Sequence, residues 1–225
     1  MSQPFLVSVR SRSPKARIFL RSPLYTDVNS LTARGNDPIC IQYLPWLQNA
    51  TITNESNMKQ VKNWRAESGI KGIFLVIVLL PEHGGPQGIS IADDATIGDS
   101  GFGPIDLKAK TGECGVMLNS APSIRGKGLA VEALDINFAY GFDHLGLETI
   151  DFGTDNNNLP MRRLLERKFG LSGTFNEEKG SWRFVVTKEW WAERSKAAGE
   201  DRVVVDAEEI PFDAGELTET ETKAT

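Results

Sequence analysis

The sequence has few of the residues on which metal centres and disulfide frameworks depend. Its 225 residues include two cysteines, Cys40 and Cys114, and two histidines, His83 and His144. Two thiols cannot form a disulfide framework or a structural zinc site, and two imidazoles exclude a histidine-rich metal centre. We therefore expect reduced thiols in a cytoplasmic protein that holds no metal.

Long hydrophobic runs and an overall excess of positive charge are also absent. The longest apolar run extends from Ile73 to Leu80, whereas a membrane helix needs about 18 apolar residues. The formal net charge of −5 gives the chain no basic footprint for nucleic acid. These absences favour a globular protein that binds neither a membrane nor a nucleic acid.

The two ends of the chain differ in charge from the body. Residues 1–26 carry five basic and no acidic residues, as mitochondrial transit peptides do, but we favour a basic arm over 1–15 that leads into a first strand. From Gly199 onward, nine acidic residues stand against two basic ones, without apolar periodicity. This pattern predicts a flexible acidic tail over 199–225, in which only Val203-Val204-Val205 could add a strand. One domain, 16–198, lies between them.

The spacing of apolar residues predicts an alternation of strands and helices and therefore an α/β (α+β) class. Strands are predicted at 16–21, 73–80, 96–105, 113–119, 147–153, 173–177 and 181–187. Helices are predicted at 26–34, 53–67, 129–145, 158–168 and 189–198. Residues 39–46 are predicted as a loop or short helix, and the glycine-rich segment 81–95 as a long mobile loop.

The most informative segment is a predicted strand that runs into a glycine-containing turn and then a helix. Gly126 and Gly128 lack a Cβ, so that successive backbone N–H groups can converge on one point. The following helix start adds unpaired N–H groups, and Arg125 and Lys127 add charge. The segment can bind a diphosphate, although a tight corner without a ligand would use the same glycines. Neither the Rossmann fingerprint nor the P-loop pattern is present.

The six residues Arg125-Gly126-Lys127-Gly128-Leu129-Ala130 resemble the Arg/Gln-x-x-Gly-x-Gly/Ala motif of the GNAT acyl-CoA N-acetyltransferases. Other segments resemble the RimJ/RimL-like branch of that superfamily, and their order along the chain is the same. They are Leu20-Arg21-Ser22-Pro23, Tyr43-Leu44-Pro45-Trp46, Glu113-x-Gly115-x-x-Leu118 and Leu165 to Gly170. The resemblance covers residues 16–193 and implies a mixed, mostly antiparallel central sheet flanked by helices.

The resemblance also implies a site for acetyl-CoA and a reaction. The expected cofactor-binding residues are Met117, Leu118 and Asn119 for the pantetheine, Arg125, Gly126, Lys127, Gly128, Leu129 and Ala130 for the pyrophosphate, and Asn158. The expected reaction is acetyl transfer to a primary amine of a small molecule or of a peptide or protein N-terminus. Glu113 is the candidate general base; a solvent-facing strand carboxylate is the alternative.

The general acid of the expected reaction has no clear candidate. The branch often places a serine, and other GNAT enzymes a tyrosine, on the helix after Asn158. Counting forward from Asn158 places Met161 at this position, and counting back from Gly170 places Arg162 there, because the segment is one residue longer than the family spacing. The alternative function is therefore a non-catalytic acyl-CoA-binding or sensor protein.

Overall fold

The computed structural model describes residues 3–83 and 96–212, which form one nine-stranded sheet with helices on both faces. The strands are β1 Phe5–Ser11, β2 Ile18–Arg21, β3 Ile73–Leu79, β4 Thr96–Asp106, β5 Thr111–Leu118, β6 Thr149–Asp155, β7 Thr174–Asn176, β8 Ser181–Thr187 and β9 Val205–Pro211. The helices are α1 Val28–Asn36, α2 Pro38–Ile41, α3 Pro45–Gln48, α4 Asn54–Glu67, α5 Leu129–Ala139, α6 Leu159–Arg163 and α7 Lys188–Ala198.

The sheet has the order β7-β8-β6-β5-β4-β3-β2-β1-β9. Neighbouring strands are antiparallel except for β5 and β6, which run parallel. The expected mixed, mostly antiparallel sheet is therefore confirmed. The helix after β5 supplies the crossover that a parallel pair requires.

Both faces of the sheet bury apolar side chains. On one face, α5 covers the sheet centre, where Phe138 packs edge-on against Phe152 and Phe169. On the other face, α1 and α4 cover β2 and β3, with Val61 fully buried. Trp64 of α4 stacks on Phe74 of β3 at a ring distance of 3.7 Å. These two helical layers stabilise the middle of the sheet, next to which β5 and β6 lie.

Two terminal segments correct the sequence prediction. Within the expected basic arm, residues 5–11 form β1, and within the expected flexible tail, residues 205–211 form β9. The two strands pair antiparallel along seven residues, with Arg10 opposite Asp206. The basic residues of β1 and the acidic residues of β9 therefore lie next to each other in the sheet. The remainder of the tail, 213–225, is outside the described residues.

The buried valines explain why this pairing is stable. Val9 of β1 and Val205 of β9 are both buried, and the Tyr140 hydroxyl donates to Glu209 Oε1 at 2.8 Å. An alternation of apolar and polar residues such as Val7-Ser8-Val9 is typical of a strand. The charged residues near it make the strand difficult to recognise from the sequence.

The other predicted elements are found close to the expected bounds. The helix after Gly128 continues from α5 into a π-helical turn, Tyr140–His144, and the 39–46 segment contains α2 and the start of α3. Most of the predicted 81–95 loop, 84–95, lies outside the described residues. No helix in the described ranges is long and apolar enough to cross a membrane. Both cysteines are free and buried.

Candidate active site

The sheet opens between its two parallel strands. β5 pairs with β6 only through Thr111, Gly112 and Glu113, whose partners are Thr149 to Asp151. Beyond that point β5 continues to Leu118 beside β4, while β6 continues beside β8. The backbone edge of β5 that faces the opening is therefore left without a partner strand among the described residues.

Strand alternation determines which backbone groups face this opening. The Asn119 N–H donates to Ile97 O of β4 at 2.8 Å. Since successive residues direct their N–H and C=O groups to opposite sides of a strand, Met117 points to β4 as Asn119 does. Val116 and Leu118 point into the opening. The Leu118 carbonyl already accepts from Arg125 Nη2 at 3.2 Å.

This geometry refines the residues that were expected to bind pantetheine. The N–H of Leu118 faces the opening, but those of Met117 and Asn119 do not. The N–H of Val116, which was not among the expected residues, faces the opening as well. Alternation along β5 could have found it only if the pairing register with β4 were known.

The turn after β5 presents backbone N–H groups at the start of α5. Gly126 and Gly128 have φ of +74° and +80°, in the left-handed region that glycine adopts without strain. In the described part of the chain, no hydrogen bond occupies the backbone N–H groups from Gly126 to Val131. These groups lie at the N-terminus of α5, where the helix dipole favours negative charge.

Side chains around this turn play different parts. The Arg125 guanidinium donates to the carbonyls of Asn119 at 3.1 Å and Leu118 at 3.2 Å, and so it holds the end of β5. Lys127 is exposed. A Cβ built on Gly126 would meet no atom within 4 Å, which leaves space for a ligand beside the backbone. The turn therefore fits a diphosphate through its backbone, with Arg125 supporting the strand.

Glu113 lies where β5 and β6 separate. Its register partner is Asp151, whose Oδ1 accepts from Arg183 Nε at 2.6 Å. Partial burial, and then the negative charge of Asp151, raise the pKa of Glu113. A Cβ built on Gly153 of β6 would lie 3.4 Å from Glu113 Oε1, so the absence of a side chain there leaves this carboxylate room. A carboxylate with a raised pKa at a strand opening can accept a proton.

The helix after Asn158, on which the general acid is expected, contains a π-helical turn. The Asn158 side chain accepts from Met161 N at 3.2 Å and caps α6, which is followed by the π-helical turn Leu164–Lys168. A π turn accommodates one more residue than an α turn. The π-helical turn lies after both Met161 and Arg162 and has room for the extra residue of this segment.

Neither candidate position supplies a hydroxyl. Met161 packs against the core. The Arg162 guanidinium lies 4.3 Å over the Trp182 ring and 3.6 Å from Glu166 Oε1. Neither Met161 nor Arg162 therefore brings a hydroxyl to the opening.

A second cleft, of about 260 Å³, lies beside the end of β5. It is lined by α1, the start of α2 and the residues that follow β5. Arg34 is buried and pairs with Asp99 Oδ2 at 3.1 Å. Asp37 accepts from the Ser120 hydroxyl, and this bond, followed by that from Ile39 N–H, lowers the pKa of Asp37.

The described residues contain no group of three or more histidine, cysteine, aspartate or glutamate side chains that could hold a metal ion. The polar groups at the opening are instead backbone N–H groups and single carboxylates. Backbone N–H groups therefore lie in the turn that follows β5, and a carboxylate lies where β5 and β6 separate.

Comparisons with known proteins agree with this geometry. The family model described as acetyltransferase (GNAT) domain matches residues 17–170. An uncharacterized N-acetyltransferase, p20 of Bacillus licheniformis, is 27% identical over 168 residues, which are 73% of this chain and 86% of that protein.

Solved structures share the fold at lower identity. A GNAT-family acetyltransferase from Bacillus anthracis has a TM-score of 0.61 and 20% identity, over 81% of this chain and 99% of that one. Mycobacterium smegmatis RimJ in complex with CoA-disulfide has a TM-score of 0.62 and 18% identity, over 90% of this chain and 99% of that one.

Proposed function

The chain belongs to the GNAT acetyltransferase family, and on this premise we propose that it is an acetyl-CoA-dependent N-acetyltransferase. The observation that carries the proposal is the opening between β5 and β6, which leads to the free N–H groups of the turn before α5. The Mycobacterium smegmatis neighbour, solved with CoA-disulfide, supports the choice of CoA. The free buried cysteines fit a reducing compartment such as the cytoplasm.

Acetyl-CoA would be held by backbone groups along the β5 edge. The N–H groups of residues 126–131 would bind the diphosphate, with Lys127 adding charge, and Asn158 would approach the same ligand from the start of α6. The N–H groups of Val116 and Leu118 would bind the pantetheine arm. Acetyl-CoA supplies an activated acetyl thioester when it is bound.

The chemical step would use one carboxylate and one backbone dipole. A neutral amine forms the new C–N bond, and the C–S bond to CoA breaks. Glu113, directly or through a water molecule, would accept the proton that the amine loses. A β5 N–H such as that of Val116 would donate to the thioester oxygen as negative charge develops there, an effect worth about 10²–10³ in rate. The departing thiolate would take a proton from water, since Met161 has none to give.

The acceptor is proposed as a primary amine of a small molecule or of a peptide or protein N-terminus. Glu113 of β5 and Asp151 of β6 lie side by side where the two strands separate, and their negative charges attract a cationic amine before it loses its proton. The cleft beside Arg34 and Asp37 offers a place for a more distant part of the acceptor.

Thioester consumption with a panel of amines tests this proposal. Release of free thiol from acetyl-CoA that depends on both the enzyme and an amine is the expected result. The panel contains polyamines, amino-acid amides and peptides with free N-termini. Matched peptides with blocked N-termini and no lysine are the control.

The second candidate function is a non-catalytic acyl-CoA-binding protein. Met161 favours it, because the position that the family spacing assigns to a hydroxyl is apolar. CoA binding without amine-dependent thiol release across the whole panel would support this second function over the first.

A further inference from the structure

Arg17, which lies just before β2 and was not among the expected site residues, contacts the turn that precedes α5. Its Nη1 donates to Lys127 O at 2.7 Å. Its Nε donates to Glu132 Oε2 at 2.9 Å, and its Nη2 lies 2.8 Å from the same oxygen. We propose that Arg17 is a positioning residue that holds the diphosphate-binding turn in its binding conformation.

The first argument concerns one peptide plane. The Lys127 carbonyl and the Gly128 N–H belong to the same trans peptide and point in opposite directions. The bond from Arg17 fixes this carbonyl on the β2 side of the turn. The Gly128 N–H is therefore directed away from Arg17, to the open side, where it adds to the free N–H groups of the helix start. Both glycines that flank Lys127 have positive φ, and glycine adopts other backbone conformations at little cost, so the bond from Arg17 favours one of them.

The second argument concerns charge. Glu132 lies in the first turn of α5, where its carboxylate would repel a bound diphosphate. It is instead turned towards β2: Oε1 accepts from Arg17 N at 2.6 Å and from Ile18 N at 3.2 Å, while the guanidinium covers Oε2. Arg17 thus neutralises the acidic group in the first turn of α5 and supports the turn before it at the same time.

The proposal rests on the proposed use of CoA, and it makes a prediction for two ligands. Pantetheine lacks the diphosphate, so the turn contributes to the affinity for CoA only. Arg17→Ala should weaken CoA binding about 10- to 100-fold, the range for a charged hydrogen bond. The dissociation constant for pantetheine should stay unchanged. Calorimetry with CoA and NMR titration with pantetheine measure the two constants.

Arg17→Lys keeps the charge and an ion pair with Glu132, which favours retention of the fold, but a single ammonium lacks the fork that reaches both Glu132 and Lys127. It should weaken CoA binding several-fold. Arg12→Ala is the matched control, because Arg12 is an exposed arginine whose partner is Asp206 of β9. It should leave the affinity for CoA unchanged.

Three results would overturn this assignment. They are unchanged CoA affinity in Arg17→Ala, full affinity in Arg17→Lys, which would indicate a role for charge alone, and equal weakening for CoA and pantetheine, which would indicate general loosening. If the wild-type chain itself does not bind CoA, the proposed function fails first, and with it the premise of this inference.

Discussion

At the scale of single residues, the sequence identifies the segments that make up the candidate site but not which of their atoms face the opening. Gly126 and Gly128 were identifiable because their residue type alone permits the turn. The choice between Met117 and Val116 was not, because it depends on the pairing register with β4, a long-range property. Arg125 was recognised as part of the motif, yet its bonds to the end of β5 follow from the three-dimensional path of the chain.

Glu113 carries the chemical prediction at this scale. Glu113→Gln removes the proton acceptor and should lower kcat by about 10²-fold or more, with little effect on CoA affinity. Steady-state kinetics with an acceptor identified by the amine panel, together with calorimetry, test both parts. Unchanged turnover would leave Glu113 as a solvent-facing strand carboxylate.

Asp151 should control the pH at which Glu113 works. Its charge contributes to the raised pKa of Glu113, so Asp151→Asn should lower that pKa. Glu113 would then stay ionised to a lower pH, and the acid limb of the kcat/KM profile should move to lower pH. A limb that stays in place or moves upward would show that another group sets it.

At the scale of elements, helical periodicity gave the positions of α4 and α5, whereas the two terminal strands were missed. Met58, Val61 and Trp64 share the predicted apolar side of α4, but Val61 is fully buried and Met58 is 37% exposed. The periodicity identifies the side, and only packing shows which residue on it reaches β3. Strand β9 was missed because five of its residues are exposed or charged, and its stability depends on β1.

The difference within α4 gives a stability prediction. Val61→Ala leaves a cavity between α4 and the sheet and should lower the free energy of unfolding by about 1–3 kcal/mol. Met58→Ala, on the same helix, should change it by less than about 1 kcal/mol. Urea denaturation measures both; equal losses would contradict the described packing of α4.

Strand β9 should stabilise the sheet. Deleting 203–225 removes the buried Val205 and the bond from Tyr140 to Glu209, a loss of about 2–4 kcal/mol. For a chain of this length, the melting temperature should fall by roughly 5–15 °C. Deleting only 213–225 is the control. Similar melting temperatures for the two deletions would show that β9 does not contribute.

At the scale of the whole molecule, the family and the fold could be predicted from the order of short motifs, and the acceptor could not. Some motif residues make contacts that stabilise the fold. Arg21 and Asp27 form a buried bidentate ion pair, and Glu132 joins α5 to β2. Because the fold requires such residues, their presence in the sequence indicates the family. Under the proposed function, the acceptor would be recognised where α1, α2 and the ends of the strands come together, an arrangement that no short motif encodes.

The central claim, that the turn before α5 binds the diphosphate of CoA, is tested most directly by calorimetric titration of the protein and two glycine variants with CoA. Gly128→Glu adds a negative side chain to the turn, with its Cβ 3.7 Å from Arg17 Nη2, and by its charge and its left-handed backbone strain should abolish the micromolar binding expected of the wild type. Gly146→Glu is the control for backbone strain, because Gly146 also has a positive φ but lies in the turn before β6, where a Cβ meets no atom within 4 Å. The account predicts binding by the wild type and Gly146→Glu only, with circular dichroism showing that all three are folded. Wild-type affinity in a folded Gly128→Glu variant would contradict it.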